Sequence, residues 1–428
     1  MKRIAIIGSG ISGTSAAYYL NQLGYDVSLF ESQGYFGGHT NTQQVTIAGK
    51  NYPIDTGFLV HNDRTYPNLI EFFKELEIEV HKSEMSFSVQ KLSDNMVWAG
   101  TNLTSLFAQK KNLFSFKFYS FIFELLRFNR NAASYLEQSK RNTDRTLGEL
   151  LEEHRYSREF RDWYLLPMGG CIWSCPTNEM LQFPAYTFLT FCMNHGLLQI
   201  FNRPLWKTVV NGCKTYVEKA LVPIEKKYLS EPVRKILPEE HKITIVTDKR
   251  SEEFDYCLIC SHPPEALKLV VGLDHETHQL LSCFKYQKNK AVLHLDEKVL
   301  PGKRSAWAAW NYVSENSSDG KNAVSVSYLI NKLQPLPFDN PVIVTLNPVR
   351  PVDVRKIVKE INYEHPVFSA EAIRAQETMM DVQGRQRLFF SGAWMRYGFH
   401  EDGILSSKKV LNKILEMDGR SAERINIL

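Results

Sequence analysis

The sequence predicts an α/β protein of two domains, with one sheet built from both ends of the chain and an α+β domain inserted between them. Three observations predict it. Residues 1 to about 80 open with a strand-turn-helix-strand pattern over Arg3 to Ile7, Ile11 to Leu23 and Asp26 to Phe30, and Leu388 to Leu415 return to strand, glycine-rich loop and helix. Between these ends the chain changes character: about 101 to 200 is mainly helical and rich in aromatic residues, and alternating strand-like runs follow. Finally, 428 residues at 43% hydrophobic and 23% charged are enough for two or three domains and exclude wholesale disorder.

The elements follow in order. Residues 205 to 265 predict a helix around Tyr216 to Leu221 and strands at 243–247 and 256–260. Later strands are predicted over Ala291 to Leu295, Ala306 to Tyr312, Ala323 to Leu329 and Val342 to Leu346. Phe389 to Trp394 reads as the last strand, before a helix ending at Leu415. The end domain is therefore expected to comprise 1–80, 205–270 and 380–428, and the inserted one 81–204 and 271–379. No repeat and no low-complexity linker interrupts this order.

Charge and cysteine usage narrow the function. Lys and Arg total 51 against 47 Asp and Glu, a net +4 that is too balanced for a dedicated nucleic-acid binder. Seven cysteines are too few for a disulfide scaffold. The charge-free stretch Met180 to Asn202 contains Gln182, Pro184, Asn194, His195 and Gly196, so it predicts two buried elements broken near His195-Gly196 rather than a membrane span. Ile4 to Ile7 is too short an apolar run for a signal peptide. The expectation is a soluble, cytoplasmic protein.

The chemistry is carried by Gly8-Ser9-Gly10-Ile11-Ser12-Gly13. This matches G-x-G-x-x-G between a strand and a helix, and Glu31 ends the next strand 18 residues after Gly13. In this Rossmann-like pattern Gly8 permits the tight turn, Gly10 lets a pyrophosphate approach the backbone, and Gly13 lets helix and strand pack closely. The first N–H groups of the helix, at Ile11 and Ser12, face the phosphates, and Glu31 is the acceptor for ribose hydroxyls. The pattern predicts a bound dinucleotide.

Gly34-Tyr35-Phe36-Gly37-Gly38-His39-Thr40 sets a second glycine pair just beyond the acidic residue. Here the sequence resembles the flavin-containing amine oxidase superfamily, which includes protoporphyrinogen oxidases and phytoene desaturases. The resemblance implies FAD, with Gly37, Gly38 and His39 contacting it. Amine oxidases carry Arg after the pair, and His39 departs from that pattern. Gly392, Asp402, Gly403 and Ile404 match the superfamily's C-terminal strand, loop and helix, which sets a helix N-terminus at the flavin pyrimidine ring. A positive helix end there stabilises the charge of reduced flavin near N1 and O2.

Further matches at Asp55-Thr56-Gly57-Phe58, Thr65 to Leu69, Ile172-Trp173-Ser174 and Asn331 to Gln334 resemble a bacterial branch of FAD-binding oxidoreductases often encoded beside cyclopropane-fatty-acid synthases. That likeness implies a lipid acyl substrate. It also implies FAD contacts at Thr40, Asp55 and Gly57, and at Val233 through its backbone toward the adenine. Phe399 matches a position where an aromatic ring flanks the flavin, with Trp173, Trp394, Tyr397 and His400 as further pocket candidates. The implied fold is a discontinuous Rossmann-like FAD-binding domain with an inserted α+β substrate domain, as in amine oxidases.

The expected activity is FAD-dependent hydride transfer with a hydrophobic substrate. The rivals are a flavin-dependent isomerase or mutase, an amine oxidase, and a non-catalytic FAD-binding partner of a lipid-modifying enzyme. The last cysteine is Cys283, so the thiol that tethers FAD in some monoamine oxidases is missing and the flavin is expected to be non-covalent. Histidines lack ligand spacing, and no metal is expected. Cys257-Leu258-Ile259-Cys260 lies in a strand-like run where positions three apart point to opposite faces. Cys171 and Cys175 read as buried apolar residues, and the His400-Glu401 pair as part of the flavin loop rather than a proton relay.

Residues 114 to 128 form a helix with Phe114, Phe118, Phe121, Leu125 and Phe128 on one stripe and Phe116, Tyr119, Phe123 and Leu126 on the next. Residues 101–145 carry eight Lys/Arg against three Asp/Glu. A buried helix is the plain reading. The sharper one is peripheral contact with the inner membrane face, or a wall guarding a lipid tunnel.

Overall fold

The computed structural model describes residues 1–173, 180–199, 203–316, 322–423 and 425–428. Ser174 and Cys175, and the end of the stretch to Asn202, lie outside the described residues.

A five-stranded parallel sheet runs in the order Lys226–Tyr228, Asp26–Phe30, Arg3–Ile7, Tyr256–Ile259, Leu388–Phe390. The strands Arg3–Ile7, Tyr256–Ile259 and Leu388–Phe390 are mainly apolar on both faces because both are covered, while the edge strand Lys226–Tyr228 is not. Ile4 and Ile6 pack under the helices Ile11–Gln22, Pro67–Glu75, Lys214–Leu221 and His400–Met417. Ala5 and Ile7 pack on the other side with Ile236, Ile245 and Phe254 of an antiparallel three-stranded sheet. The alternation separates the two cysteines of the CxxC: Cys257 faces the Ala5 side and Cys260 the other.

A seven-stranded mixed sheet organises the inserted part, in the order Ile357–Val367, Lys285–His294, Ile343–Leu346, Asn322–Leu329, Trp310–Asn316, Phe87–Lys91, Met96–Ala99. Its inner face shares a core with the helices Phe116–Lys140, Leu147–Glu153 and Ala185–Asn194. Fully buried Phe121 meets Trp98 at 5.3 Å and Trp163 at 5.6 Å between centroids. Burying each such ring contributes about 2–3 kcal/mol.

Several sequence expectations shift. The Ala306–Tyr312 run is a strand only from Trp310, because side chains replace the ladder before it. The Asn311 Oδ1 accepts from the Ala308 N–H, and the Ser86 Oγ from the Ala309 N–H. The last strand stops at Phe390: the Ser391 N–H still donates to the Ile259 carbonyl, but the Gly392 N–H turns to the Ser406 Oγ and a short turn follows. The strands Phe87–Lys91, Met96–Ala99 and Ile357–Val367 were not anticipated. The helices His275–Ser282 and Ala370–Thr378 fall within the expected 271–379 insert, yet their Leu281, Ala372 and Ala375 pack with Ala5 and Ile7 on the parallel sheet. Conversely, Val45 and Ile54 of the early hairpin pack with the insert.

Candidate functional site

In open parallel sheets ligands sit beyond the carboxyl ends of the strands. Here four such ends feed one cavity of about 1950 Å³. Gly8 and Gly10 follow Arg3–Ile7, Glu31 follows Asp26–Phe30, Ser261 and His262 follow Tyr256–Ile259, and Gly392 and Trp394 follow Leu388–Phe390. Single small-molecule pockets run about 300–1,000 Å³, so the space holds more than one ligand-sized body.

The glycine loop is built to stay bare. Gly8 has φ +97°, a left-handed value that glycine adopts without strain. A Cβ on Gly13 would overlap the Gly8 carbonyl oxygen, so this glycine sets how closely the helix lies on the strand. A Cβ on Gly10 would meet nothing within 4 Å, because the position faces the cavity. Gly10 is the N-cap of the helix and brings no capping side chain, which leaves the first N–H groups facing outward. Glu31 is pinned beside them: its Oε2 accepts from the Ser9 N–H at 3.0 Å and the Ser9 hydroxyl at 2.6 Å, and its Oε1 from the Gln33 N–H at 2.8 Å.

Of the expected cofactor residues, Gly8, Gly10, Ile11, Ser12, Glu31, Gly38, His39, Gly57 and Gly392 line this cavity. The rest lie behind its wall. Gly13 and Gly37 pack against backbone. Thr40 hydrogen-bonds Tyr216 and, at 2.9 Å, the His400 Nε2. Asp55 is buried, accepts from Thr42 and from the Cys213 N–H at the start of the helix Lys214–Leu221, and burial pushes its carboxyl up. Val233 begins a strand in the core. Asp402 accepts from the Phe399 N–H at 2.9 Å and caps its own helix; burial pushes it up to about 7, against the Phe399 N–H and nearby Arg396. Gly403 lies against Ile11 and Ser12, its carbonyl accepting from the Ser12 hydroxyl at 3.0 Å, and Ile404 is core. These residues shape the loops that meet the cavity without touching it.

All five aromatic and histidine candidates line the cavity. Phe399 stacks on Phe191 at 4.8 Å, with His195 at 5.9 Å, and Tyr397 meets the same Phe191 edge-on. Trp173 packs on Phe183 and Phe191. Trp394 packs on Phe284 of the far sheet face. His400 stacks on Phe58 at 3.6 Å, and burial holds its imidazole down at about 3, so it is neutral near pH 7. Glu401 turns away, accepting from the Asn68 and Leu69 N–H groups at the start of the helix Pro67–Glu75. The pair is not a relay.

Several cavity residues were not anticipated. Tyr363 stacks on His39 at 4.8 Å, and His365 lies 5.2 Å from it. Both sit on Ile357–Val367, where Ile361, Tyr363 and His365 alternate with Glu360, Asn362 and Glu364, a short period-2 signal available in the sequence. The sequence predicts a break near His195-Gly196, and His195, at the end of the helix Ala185–Asn194, also lines the cavity. Its Nδ1 donates to the Phe191 carbonyl at 3.0 Å, which leaves Nε2 as an acceptor, and burial lowers its pKa to about 4. A further arm of the cavity is apolar, lined by Ile122, Leu125, Tyr164, Met168 and Ile172. Tyr164 sits in a π-helical turn, Arg161–Leu165. Pro167 explains that turn: with no N–H to offer, it frees the Trp163 carbonyl, which accepts instead from the Trp98 Nε1 at 2.9 Å.

The residues suit a flavin dinucleotide. Beside the bare edge at Gly10, the His39 Nε2, Trp173 Nε1, Trp394 Nε1 and Ser261 Oγ are buried without a hydrogen-bond partner, and all four residues line the cavity. Buried polar atoms are rarely left so, and a polar ligand supplies partners. The model of the family described as flavin containing amine oxidoreductase matches residues 11–415. This chain belongs to that family. Its cofactor is FAD.

Among relatives, the chain is 24% identical over 269 residues to a probable flavin-containing monoamine oxidase A of Dictyostelium discoideum, covering 61% of this chain and 57% of that protein. It is 30% identical over 154 residues to a 1-hydroxycarotenoid 3,4-desaturase of Flavobacterium sp. (strain P99-3), covering 36% of this chain and 29% of that one. The matches thus span about half or less of these relatives. The fold is similar to cyclohexylamine oxidase from Brevibacterium oxydans IH-35A, with a TM-score of 0.69 at 18% identity, covering 98% of this chain and 100% of that one. Among the described residues, no three or more His, Cys, Asp and Glu are grouped as a metal ion requires.

Proposed function

We propose that this family member is an FAD-dependent oxidoreductase acting on a hydrophobic substrate of the acyl-chain or polyene type. One observation carries the reading: a single cavity is lined both by the glycine loop and by apolar Ile122, Leu125, Met168 and Ile172, together with the rings of Phe399, Phe191 and Trp173, which pack on one another. When bound, FAD supplies the hydride acceptor or donor. In this reading the backbone at Gly10, Ile11 and Ser12 holds the pyrophosphate and Glu31 holds the ribose. His39, stacked on Tyr363, offers its free Nε2 toward the cofactor. The arm at Ile122, Leu125 and Met168 orients the substrate and excludes water. The His195 Nε2 is the cavity's candidate proton acceptor. The carotenoid desaturase among the relatives, acting on a long apolar molecule, supports the substrate class.

The test is anaerobic titration of the purified yellow protein with fatty acyl lipids, a carotenoid and primary amines. Saturated chains are expected to bleach the flavin, or unsaturated ones to restore the colour of dithionite-reduced protein. Response to amines alone would overturn the substrate class. A product isomer formed with no net electron consumption would move the protein to the isomerase reading.

The flavin is also expected to be held without a covalent bond. Cys171 and Cys260 both line the cavity, and burial pushes both thiols up, away from the thiolate that bond formation needs. Acid precipitation should leave all the yellow colour in the supernatant. Fluorescence retained in the pellet would show a tether.

A further inference from the structure

The helix Phe116–Lys140 divides its aromatic residues between two opposite environments. Phe118, Phe121 and Phe128 are fully buried. Phe116, Tyr119, Phe123 and Leu126, spaced three and four apart on one face, are exposed. Phe116 is 93% and Phe123 67% exposed, and Phe114, just before the helix, 89%. The short helix Leu103–Leu106 adds Leu103 at 75%, joined to the longer helix through the contacts of Phe107 with Phe118 and Tyr119. Soluble proteins rarely expose so continuous an apolar face, and such a face marks an interaction site.

Two further observations say what covers it. Lys110 and Lys111 are exposed just before it, and the 101–145 segment carries eight cationic against three acidic residues, although one of the cations, Lys117, is paired with Glu159 at 2.7 Å. An anionic surface is the complement. In addition, Leu103 and Leu126 belong both to this face and to the lining of the cavity, beside Leu106, Ile122 and Leu125. The apolar arm therefore opens where the exposed rings stand.

We infer that this face docks on a bilayer containing anionic lipid, with Phe114, Phe116 and Phe123 entering the headgroup–acyl boundary and the lysines meeting phosphates. An apolar substrate then passes from the membrane into the arm without crossing water. The delivery step rests on the proposed substrate class; the docking does not. No described helix is long and apolar enough to cross a membrane, so the attachment is peripheral.

Sedimentation of the flavin-loaded protein with vesicles tests docking without any turnover. Vesicles of equal parts phosphatidylglycerol and phosphatidylcholine are expected to pellet the protein at low salt. Pure phosphatidylcholine should pellet less, and added salt should weaken the anionic binding. The variant Phe114→Ser/Phe116→Ser/Phe123→Ser, changed only at exposed positions that do not line the cavity, should keep its flavin and melting temperature yet bind roughly tenfold or more weakly. Wild-type protein that stays in the supernatant with both compositions, or a triple variant that pellets equally, overturns the inference. So does a concentration-dependent dimer that the triple variant loses while neither protein binds vesicles, which would make the face an interface between copies. Failure of the flavin-bleaching panel with vesicle binding intact would sink the substrate class alone.

Discussion

Gly13→Ala is expected to yield no folded yellow protein, while Gly10→Ala is expected to fold normally and Gly10→Leu to fold but lose FAD. The two glycines stand three residues apart and do different physical work. A methyl group on Gly13 would overlap the Gly8 carbonyl oxygen, which is backbone and has nowhere to move. The helix Ile11–Gln22 would have to lift off the strand Arg3–Ile7, opening the core at Ile4, Ala16 and Leu20. Overpacking of that kind costs roughly 1–3 kcal/mol where side chains can yield and more against fixed backbone. At Gly10 the backbone has φ −60°, which any residue adopts, and the added group enters open cavity. A leucine there fills the path of the pyrophosphate, and FAD affinity should drop on the order of a hundredfold. Thermal melts and FAD titration of the three variants check this. Equal flavin content in Gly10→Leu and wild type would remove the glycine loop from the cofactor site.

Acidification from pH 7 to 5 is expected to destabilise the flavin-free protein steeply. His61, His195 and His294 are buried with proton affinities lowered to about 4, and His400 to about 3, burial being the leading cause in each. An unfolded imidazole titrates near 6.5. Between about pH 6.5 and 4 the unfolded chain therefore binds more protons, so stability is full above the unfolded value and is lost as pH falls. Each imidazole contributes about 1 kcal/mol per pH unit in that window. Asp402 works in the opposite sense. Its folded value is raised to about 7, so its contribution is present below about 4 and lost as pH rises, which offsets about one imidazole. Asp55 is raised as well and adds to the offset. Four imidazoles less the Asp402 offset leave a net loss of about 3 kcal/mol per unit between pH 6 and 5, reduced by whatever Asp55 returns, which is large against a total stability of about 5–15 kcal/mol. Urea midpoints at pH 7, 6 and 5 measure it. A flat profile would mean that these imidazoles hold protons equally in the folded and unfolded chain.

Local rules made part of this protein legible from its sequence. The strand Asp26–Phe30 and the helix from Ile11 to about Gln22 begin and end where period, glycine and acidic residue say they should. The same rules brought Gly8, Gly10 and Glu31 to one cavity, because the loop and the two strands that carry them are neighbours in both sequence and space. His195-Gly196 broke its helix as expected, with Gly196 at φ +62°. What the sequence by itself determined was therefore the flavin-family α/β architecture, the glycine loop and the aromatic character of the cavity. Tertiary structure decided the rest. The resemblance implied cofactor contacts at Asp55, Asp402 and Thr40, but the Asp402 side chain caps its own helix, while Asp55 turns to the Cys213 N–H and Thr40 to Tyr216 and His400, partners that lie far away in the chain. Phe116 and Phe118 are two residues apart and equally apolar, yet one is bare and the other buried. Periodicity separates the faces of a helix but does not say which face meets a core. That is settled by the volume available beneath the helix, here filled by Trp98 and Trp163, which pack on Phe121 of the helix from segments distant in sequence.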